Sequence, residues 1–163
     1  IQAYEHQMEG SAAGCVERYL QLSGLPISSL KRVATPCIDD GMFTQADFTT
    51  KGTLSKDASK AVLKCLYLAR LARPEILWTV NSLAREVTKW NVACDKRLHR
   101  LISYIHHNKD WVQTNYIGDY PEDIKLCLYV GASFASDLNS AVTSFCKVII
   151  SSTDKLGYIA ANS

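Results

Sequence analysis

Apolar residues recur at helical spacing in four stretches that together cover much of the first two thirds of the chain. A first helix is predicted from a cap at Ser11 to Gly24, and a second covers Ala58–Ala72. A third is predicted from Pro74 to Trp90, and a fourth runs from about Asn91 or Cys94 to Asn108. Because each stretch gathers its apolar positions on one side, the four helices are expected to share a core.

After residue 110 the pattern changes to the alternation that is typical of strands. Strands are predicted over Trp111–Ile117, Ile124–Val130, Val142–Ile150 and Leu156–Ala160, and turns over 118–123, 131–141 and 151–154. The predicted fold class is therefore α+β, in which a helical segment of about four helices is followed by a mainly antiparallel β-meander.

A long stretch between the first two helices, Ser28–Ser55, shows no sustained period and carries proline, glycine and many hydroxyl side chains. It predicts a connection with at most one short strand, near Leu30–Val33. A connection of this length is uncommon inside a compact domain, so it is expected to lie across a neighbour, either in this chain or in a larger protein. The predicted organisation has three regions, at residues 1–55, 56–110 and 111–163.

The composition indicates a folded domain but does not identify a partner. Hydrophobic residues make up 47% of the chain and charged residues 21%, which is typical of a folded domain, and no apolar run is long enough to span a membrane. A net charge of +2 is too small to indicate nucleic-acid binding by itself. The six cysteines form no C-x-x-C pair, which disfavours a zinc site. Several lie on predicted apolar faces, which favours free thiols in a reducing intracellular compartment, with a disulfide framework as the alternative.

The fourth predicted helix carries a basic stripe opposite its apolar face. Lys96, Arg100 and His107 follow one another at helical spacing. Such a stripe can follow a phosphate backbone, because Lys and Arg displace condensed counterions whatever the base sequence. A solvated helix face is the commoner interpretation, and both remain open.

Other candidate sites are weaker. Asp39 and Asp40 resemble the paired carboxylates of a polymerase palm, but Pro36 disfavours the strand that such a pair needs, so a turn with local side-chain hydrogen bonds is favoured. The adjacent His106 and His107 diverge on a helix and are not expected to share a metal ion. A nucleophilic pair of Cys94 and His99 is disfavoured because their spacing separates them on the helix.

Two strings of residues resemble the Pol polyprotein of copia-type LTR retrotransposons, between the end of the reverse transcriptase and the first strands of RNase H. The first string matches the helical pattern Y-L-A, R-P-D-I, V-N-x-L-x-R, and the second matches the opening strand L-x-L-Y and D-A-D-F-A-G-D of the nuclease. The matching positions are Tyr67–Ala69, Arg73–Ile76, Val80, Asn81, Leu83 and Arg85 in the first string, and Leu126, Leu128, Tyr129 and Gly131–Asp137 in the second.

The resemblance also implies that the nuclease site is degenerate. In the family, the first Asp of the second string binds the divalent metal ions, normally Mg²⁺, that activate water. Gly131 stands at that position here and Ser133 stands at the second Asp, so Asp137 is the one acidic residue retained in the string. The family's remaining carboxylates would follow Ser163. We therefore expect no bound cofactor and no catalytic activity from the chain by itself.

Two functions of different kinds follow. The first is an inactive remnant of the reverse transcriptase and RNase H region that binds the backbone of an RNA/DNA duplex through Lys96, Arg100 and His107. The second is a structural subunit, in which the Ser28–Ser55 stretch and an exposed sheet edge dock onto protein partners in a larger assembly. An enzymatic role is expected only for a longer polyprotein that supplies the missing carboxylates.

Overall fold

The computed structural model describes residues 2–117, 126–137, 140–150 and 157–161, which fall into two compact units. The helical unit comprises residues 7–112, and the strand unit comprises residues 1–6 and 113–163. The helical unit spans most of the two regions that the sequence predicts at 1–55 and 56–110. The predicted turns at 118–123 and 151–154 lie outside the described residues.

Five α-helices occur in the described part of the helical unit, and three of them confirm predicted helices. Those three, α1, α3 and α5, begin and end within about a residue of the expected positions. The bounds are α1 Ser11–Ser23, α2 Gln45–Thr49, α3 Ala58–Leu71, α4 Leu77–Arg85 and α5 Val92–His107.

The single helix predicted over Pro74–Trp90 is wrong in extent. Only α4 is α-helical there, between 3₁₀ turns at Pro74–Ile76 and Val87–Lys89. Proline fits the first turn of a helix, and here that turn takes the tighter form. At the other end, the amide of Glu86 donates to the carbonyl of Leu83, and this 3₁₀-type hydrogen bond ends the helix.

Glycines flank α1 at both ends, because the chain there needs a left-handed backbone. Gly24 has φ of +67° and its amide donates to the Leu20 carbonyl at 2.9 Å, which confirms the predicted end of the helix. The predicted cap at Ser11 is wrong: Gly10, with φ of +72°, precedes the helix and Ser11 is its first residue.

The core of the helical unit is formed by the apolar faces of α1, α3, α4 and α5. On α5, Leu98, Leu101, Ile102 and Ile105 are fully buried. Three cysteines behave as small apolar residues in this core, which is common for free thiols. They are Cys15, Cys65 and Cys94.

The stretch Ser28–Ser55 contains no strand among its residues, which agrees with a connection that has at most one short strand, and the optional strand near Leu30–Val33 does not form. The reason is local. The amide of Leu30 donates to the carbonyl of Ile27 in a 3₁₀ turn, and the Leu30 side chain is buried. Further along, Gly52 approaches the backbone of Asn91 so closely that a Cβ atom would lie 2.5 Å from the Asn91 carbonyl oxygen.

The strand unit contains two antiparallel sheets in its described residues. In the first, β1 (Gln2–His6) pairs with β2 (Gln113–Ile117), and Gln2 lies opposite Ile117 while His6 lies opposite Gln113. The strand β1 was not expected, because its sequence is polar and its partner is more than a hundred residues away.

The second sheet has the order β3-β4-β5, with both neighbouring pairs antiparallel. Its strands are β3 (Leu126–Asp137), β4 (Ser140–Ile150) and β5 (Gly157–Ala161). The predicted turn beginning at residue 131 is wrong, because β3 continues to Asp137 with an irregularity between Phe134 and Asp137. A run of small residues can extend a strand when the neighbouring strand supplies hydrogen bonds, as β4 does here. The chain thus combines a helical unit with antiparallel sheets.

Candidate functional site

The polar face of α5 is covered by the stretch Ser28–Ser55, which lies along it and is bonded to it at several points. Lys96 donates to both carboxylate oxygens of Asp47 at 2.8 Å. Arg97 is paired with Asp40, and its guanidinium lies 5.1 Å from the ring centre of Phe43. The basic face of α5 therefore holds this chain's own connection in place.

Two of the three predicted backbone-binding residues bond to neutral groups of the same stretch. The Nε and a terminal nitrogen of Arg100 donate to the carbonyl and the hydroxyl of Thr35, both at 3.0 Å. The Nε2 of His107 lies 3.0 Å from the carbonyl oxygen of Leu30. These acceptors carry no formal charge, so the positive charge of Arg100 is not neutralised by them.

Asp47 joins the short helix α2 to α5. Its carboxylate accepts from the amide of Thr44 at 3.0 Å, in a capping box, and from Lys96. The hydrogen bond from Lys96, followed by that from the Thr44 amide, lowers the pKa of Asp47. Because the folded-state pKa is lowered, the carboxylate stabilises the fold above its unfolded pKa of about 3.9 and ceases to do so as the pH falls through the folded value.

Asp47→Asn is therefore expected to lower the melting temperature at neutral pH and to reduce the acid sensitivity of the helical unit. The difference in melting temperature between the wild type and Asp47→Asn should be largest near pH ~7 and should shrink as the pH falls below about 3.9 and through the lowered pKa of the folded state. Thermal melts across this range measure it. Asp110→Asn, at an exposed position, is the matched control. A difference that does not change with pH would contradict this role for Asp47.

His99 is held by hydrogen bonds at both ring nitrogens. Its Nδ1 lies 2.8 Å from the hydroxyl of Tyr19, and its Nε2 lies 3.3 Å from the carbonyl oxygen of Ser29. A carbonyl only accepts, so Nε2 carries the hydrogen and Nδ1 accepts from Tyr19 in the neutral ring. Burial, together with the charge of Asp95, raises the pKa of Tyr19 to about 12. Since both nitrogens are engaged elsewhere, no nucleophilic pair of Cys94 and His99 forms.

A cavity of about 670 Å³ lies between α1, the stretch Ser28–Ser55 and the polar face of α5. Its basic lining groups are Lys31, Lys96, His99 and Arg100. The ring of His107 contacts the carbonyl of Leu30, next to Lys31. We call Lys31, Lys96, Arg100 and His107 together the basic surface. The structure thus places the three predicted residues on the face of α5 that the stretch Ser28–Ser55 covers, and it adds Lys31.

Among the described residues, Asp95 is the one acidic residue that lines this cavity. One of its carboxylate oxygens accepts from the amide of Thr53 at 2.6 Å and from the hydroxyl of Thr53 at 2.9 Å. The other oxygen accepts from the indole Nε1 of Trp90 at 2.7 Å and from the amide of Leu54 at 3.3 Å. These bonds fix the Thr53–Leu54 backbone onto the start of α5.

The positions of the degenerate nuclease site lie in the strand unit, whereas the basic surface belongs to the helical unit. In β3, Gly131 is opposite Phe145, Ser133 is opposite Thr143, and Asp137 is opposite Ser140. In the described part of the chain, no group of three or more His, Cys, Asp or Glu side chains could hold a metal ion. No described helix is long and apolar enough to cross a membrane.

Asp39 and Asp40 form the predicted turn and not a strand hairpin. The carboxylate of Asp39 accepts from the amide of Gly41 at 2.8 Å, which confirms the local hydrogen bond expected from the sequence. Asp40 begins a 3₁₀ turn and pairs with Arg97. Both residues therefore have structural partners in the helical unit.

Several residues that carry the helical part of the resemblance have structural roles. Arg73 is buried, pairs with Glu75 and donates to the carbonyl of Asn108 at 2.8 Å, so it ties the end of α3 to the end of α5. Its guanidinium also lies about 6 Å from the rings of Tyr104 and Trp111. Arg73, one of the residues of the first string, therefore joins the end of α3 to the end of α5.

Family models, curated proteins and solved structures offer no match to this chain. The resemblance to copia-type polyproteins therefore depends on the two strings of residues themselves.

Sequence reasoning missed several residues of this face. The capping pattern of Thr44 and Asp47 is a local signal that could have predicted α2. No local signal points to the pairing of Asp47 with Lys96, or to the bonds that Asp95 makes to Thr53, because these partners are more than forty residues apart.

Proposed function

We propose that this chain is part of a copia-type Pol region and that its helical unit binds the phosphate backbone of an RNA/DNA duplex without cleaving it. The observation that carries this proposal is the distribution of charge. The helical unit has 15 Lys and Arg against 10 Asp and Glu, a net charge of +5, whereas the rest of the chain has 3 against 6, a net charge of −3.

The basic surface gives this charge a location. No acidic residue occurs from Gly24 to Ile38, the part of the connection that borders Arg100 and His107. Lys31 has no ion-pair partner among the described residues, and Arg100 is bonded only to neutral acceptors there. Uncompensated cations of this kind favour contact with phosphates, which need no particular base sequence.

The proposal that the duplex is not cleaved depends on the second string of residues, which ends in Gly131–Asp137. Gly131 and Ser133 have no carboxylate with which to hold Mg²⁺, and hard divalent ions need oxygen ligands. The order β3-β4-β5 with antiparallel neighbours supports the further proposal that these strands correspond to the opening strands of an RNase H-like fold.

The test is binding of the purified chain to an RNA/DNA hybrid across a salt series, with and without magnesium, and with the hybrid scored for cleavage in the same samples. Affinity should fall steeply with salt. Lys96→Ala combined with Arg100→Ala should weaken binding and reduce the slope of log K against log salt by about 0.9 for each phosphate that is no longer neutralised. The hybrid should remain intact.

The matched control is Lys60→Ala combined with Arg70→Ala on α3. Lys60 is ion-paired with Asp57 just as Lys96 is with Asp47, and Arg70 is exposed, so the change in charge is the same at another surface. An equal loss of affinity in both double variants would show that overall charge, and not the basic surface, holds the hybrid. Cleavage would overturn the loss of the metal site.

A second candidate function, docking onto a protein partner, is favoured by a separate observation. The outer face of α3 exposes Leu63, Tyr67 and Leu71, which follow one another at intervals of four residues and are 59%, 61% and 49% exposed. An apolar helix face of this kind is typical of an interaction surface. A chain that binds no hybrid even at low salt would favour this second function over the first.

A further inference from the structure

The cavity beside α5 has walls of two chemical kinds. One wall is apolar and is formed by side chains of the connection and its flanks, including Leu25, Val33, Ile38 and Leu54. The other lining residues carry cations and hydroxyl groups, from α5 and the connection, and we call them the polar wall. Its volume of about 670 Å³ lies within the range of about 300–1,000 Å³ that is usual for small-molecule sites. A cavity built this way can receive a ligand that is apolar at one end and anionic at the other.

Hydrogen-bond donors remain unused in the polar wall. The hydroxyl oxygen of Ser29 is buried and has no hydrogen-bond partner among the described residues. Arg100 donates to Thr35 from one edge of its guanidinium, which has five N–H groups in all. The ammonium of Lys31 makes no ion pair in the described part of the chain. A buried polar group without a partner is costly, so Ser29 marks a place where a ligand atom would be bound favourably.

The charges at this wall favour an anion. Lys96 is already neutralised by Asp47. Asp95 accepts from neutral groups of Thr53 and Trp90, so it keeps its negative charge and offsets one of the remaining cations. Those cations are Lys31 and Arg100. A phosphate monoester carries close to two negative charges at neutral pH and offers three acceptor oxygens, which suits two cations and one hydroxyl.

We propose that this cavity binds a small organic phosphate monoester whose phosphate lies against Lys31, Arg100 and Ser29 and whose apolar body lies against Val33 and Ile38. This site goes beyond duplex binding. The phosphates of a duplex can contact the basic surface from outside, but its stacked bases cannot enter a cavity of this kind. The two proposals therefore fail separately.

The probe is naphthyl phosphate, titrated by calorimetry into the full chain. Inorganic phosphate supplies the charge alone and naphthol supplies the apolar body alone, so both should bind at least about tenfold more weakly than the intact probe. Lys31→Met and Arg100→Met should each weaken binding by about threefold to tenfold, because each removes one charged partner of the phosphate. Arg70→Met, at an exposed position on α3, should leave affinity unchanged.

Filling the cavity tests the apolar part. Val33→Trp should abolish binding of naphthyl phosphate, whereas Ile27→Trp, which lies in the same part of the chain but does not line the cavity, should not. Leu25→Trp replaces Val33→Trp if the latter unfolds the chain, since Leu25 is 41% exposed and tolerates a larger side chain more easily.

Three results would overturn the proposal. The cavity-filling variant could bind naphthyl phosphate as tightly as the wild type does, naphthol could bind the wild type as tightly as naphthyl phosphate does, or binding of naphthyl phosphate could fail to saturate. The same cavity-filling variant should still bind the RNA/DNA hybrid. A wild type that binds naphthyl phosphate but not the hybrid would reject the duplex function and leave this site in place.

Discussion

Leu98→Ala is expected to lower the free energy of unfolding of the helical unit by about 3 kcal/mol, within the range of about 2–5 kcal/mol for buried leucines. Leu98 lies near the middle of α5, is fully buried and belongs to the apolar core that α5 shares with α1, α3 and α4. Truncation removes three carbon atoms from this core and leaves a cavity that the neighbouring helices can fill only in part.

Urea unfolding followed by tryptophan fluorescence is the appropriate measurement. All three tryptophans, Trp78, Trp90 and Trp111, belong to the helical unit, so the signal reports on that unit alone. The control is Leu63→Ala on α3, because Leu63 is 59% exposed and its truncation should change stability by no more than about 0.5 kcal/mol. Equal effects of the two substitutions would mean that Leu98 is not part of a well-packed core.

Asp95→Ala is the second large expected effect, a loss of about 2–4 kcal/mol of stability. The carboxylate of Asp95 binds the amide and hydroxyl of Thr53 and the indole of Trp90. Hydrogen bonds to charged groups each contribute about 1.5–3 kcal/mol, and part of this is recovered here because Thr53 is exposed to water. The buried indole of Trp90 has no such alternative.

Asp95→Asn separates geometry from charge. Asparagine keeps one carbonyl oxygen but cannot accept on its amide side, so it should retain about half of the lost stability. Asp110→Ala removes an exposed carboxylate from the same unit and should have little effect. Unfolding by urea measures the three variants, and a wild-type-like Asp95→Ala would show that these hydrogen bonds exchange freely with water.

Helices with a continuous apolar period were predictable from the sequence. The periods of α1, α3 and α5 are uninterrupted, and Gly24 and Asn91 supply local signals for where the first ends and the last begins. The stretch from Pro74 to Trp90 has the same period but is divided by 3₁₀ turns, because tight turns share most of the local preferences of a helix.

The strands were harder to place, because strand pairing depends on residues that are distant in sequence. The sequence of β1 is polar and shows no alternation of apolar and polar residues, so its strand conformation depends on its pairing with β2. The small residues of Gly131–Ser136 suggest a turn, yet they continue β3 because β4 lies beside them. In such stretches the partner strand overrides local preference.

The basic face of α5 was predictable as a stripe, but its use was not. Spacing alone placed Lys96, Arg100 and His107 on one side. Nothing in that spacing indicates that Asp47, Thr35 and Leu30 of the connection would bond to them. The cavity exists because the connection covers α5 incompletely, which is a property of the folded chain only.

The pairing of β1 with β2 makes residues 7–112 the loop of a hairpin. His6 and Gln113 are partners in that ladder, so a loop of about 106 residues is closed by five residue pairs. The loop-closure entropy of a flexible chain of this length amounts to about 4 kcal/mol beyond a constant, more than so short a ladder readily offsets. The ladder is therefore stable only once the enclosed helices have folded and brought the two ends together.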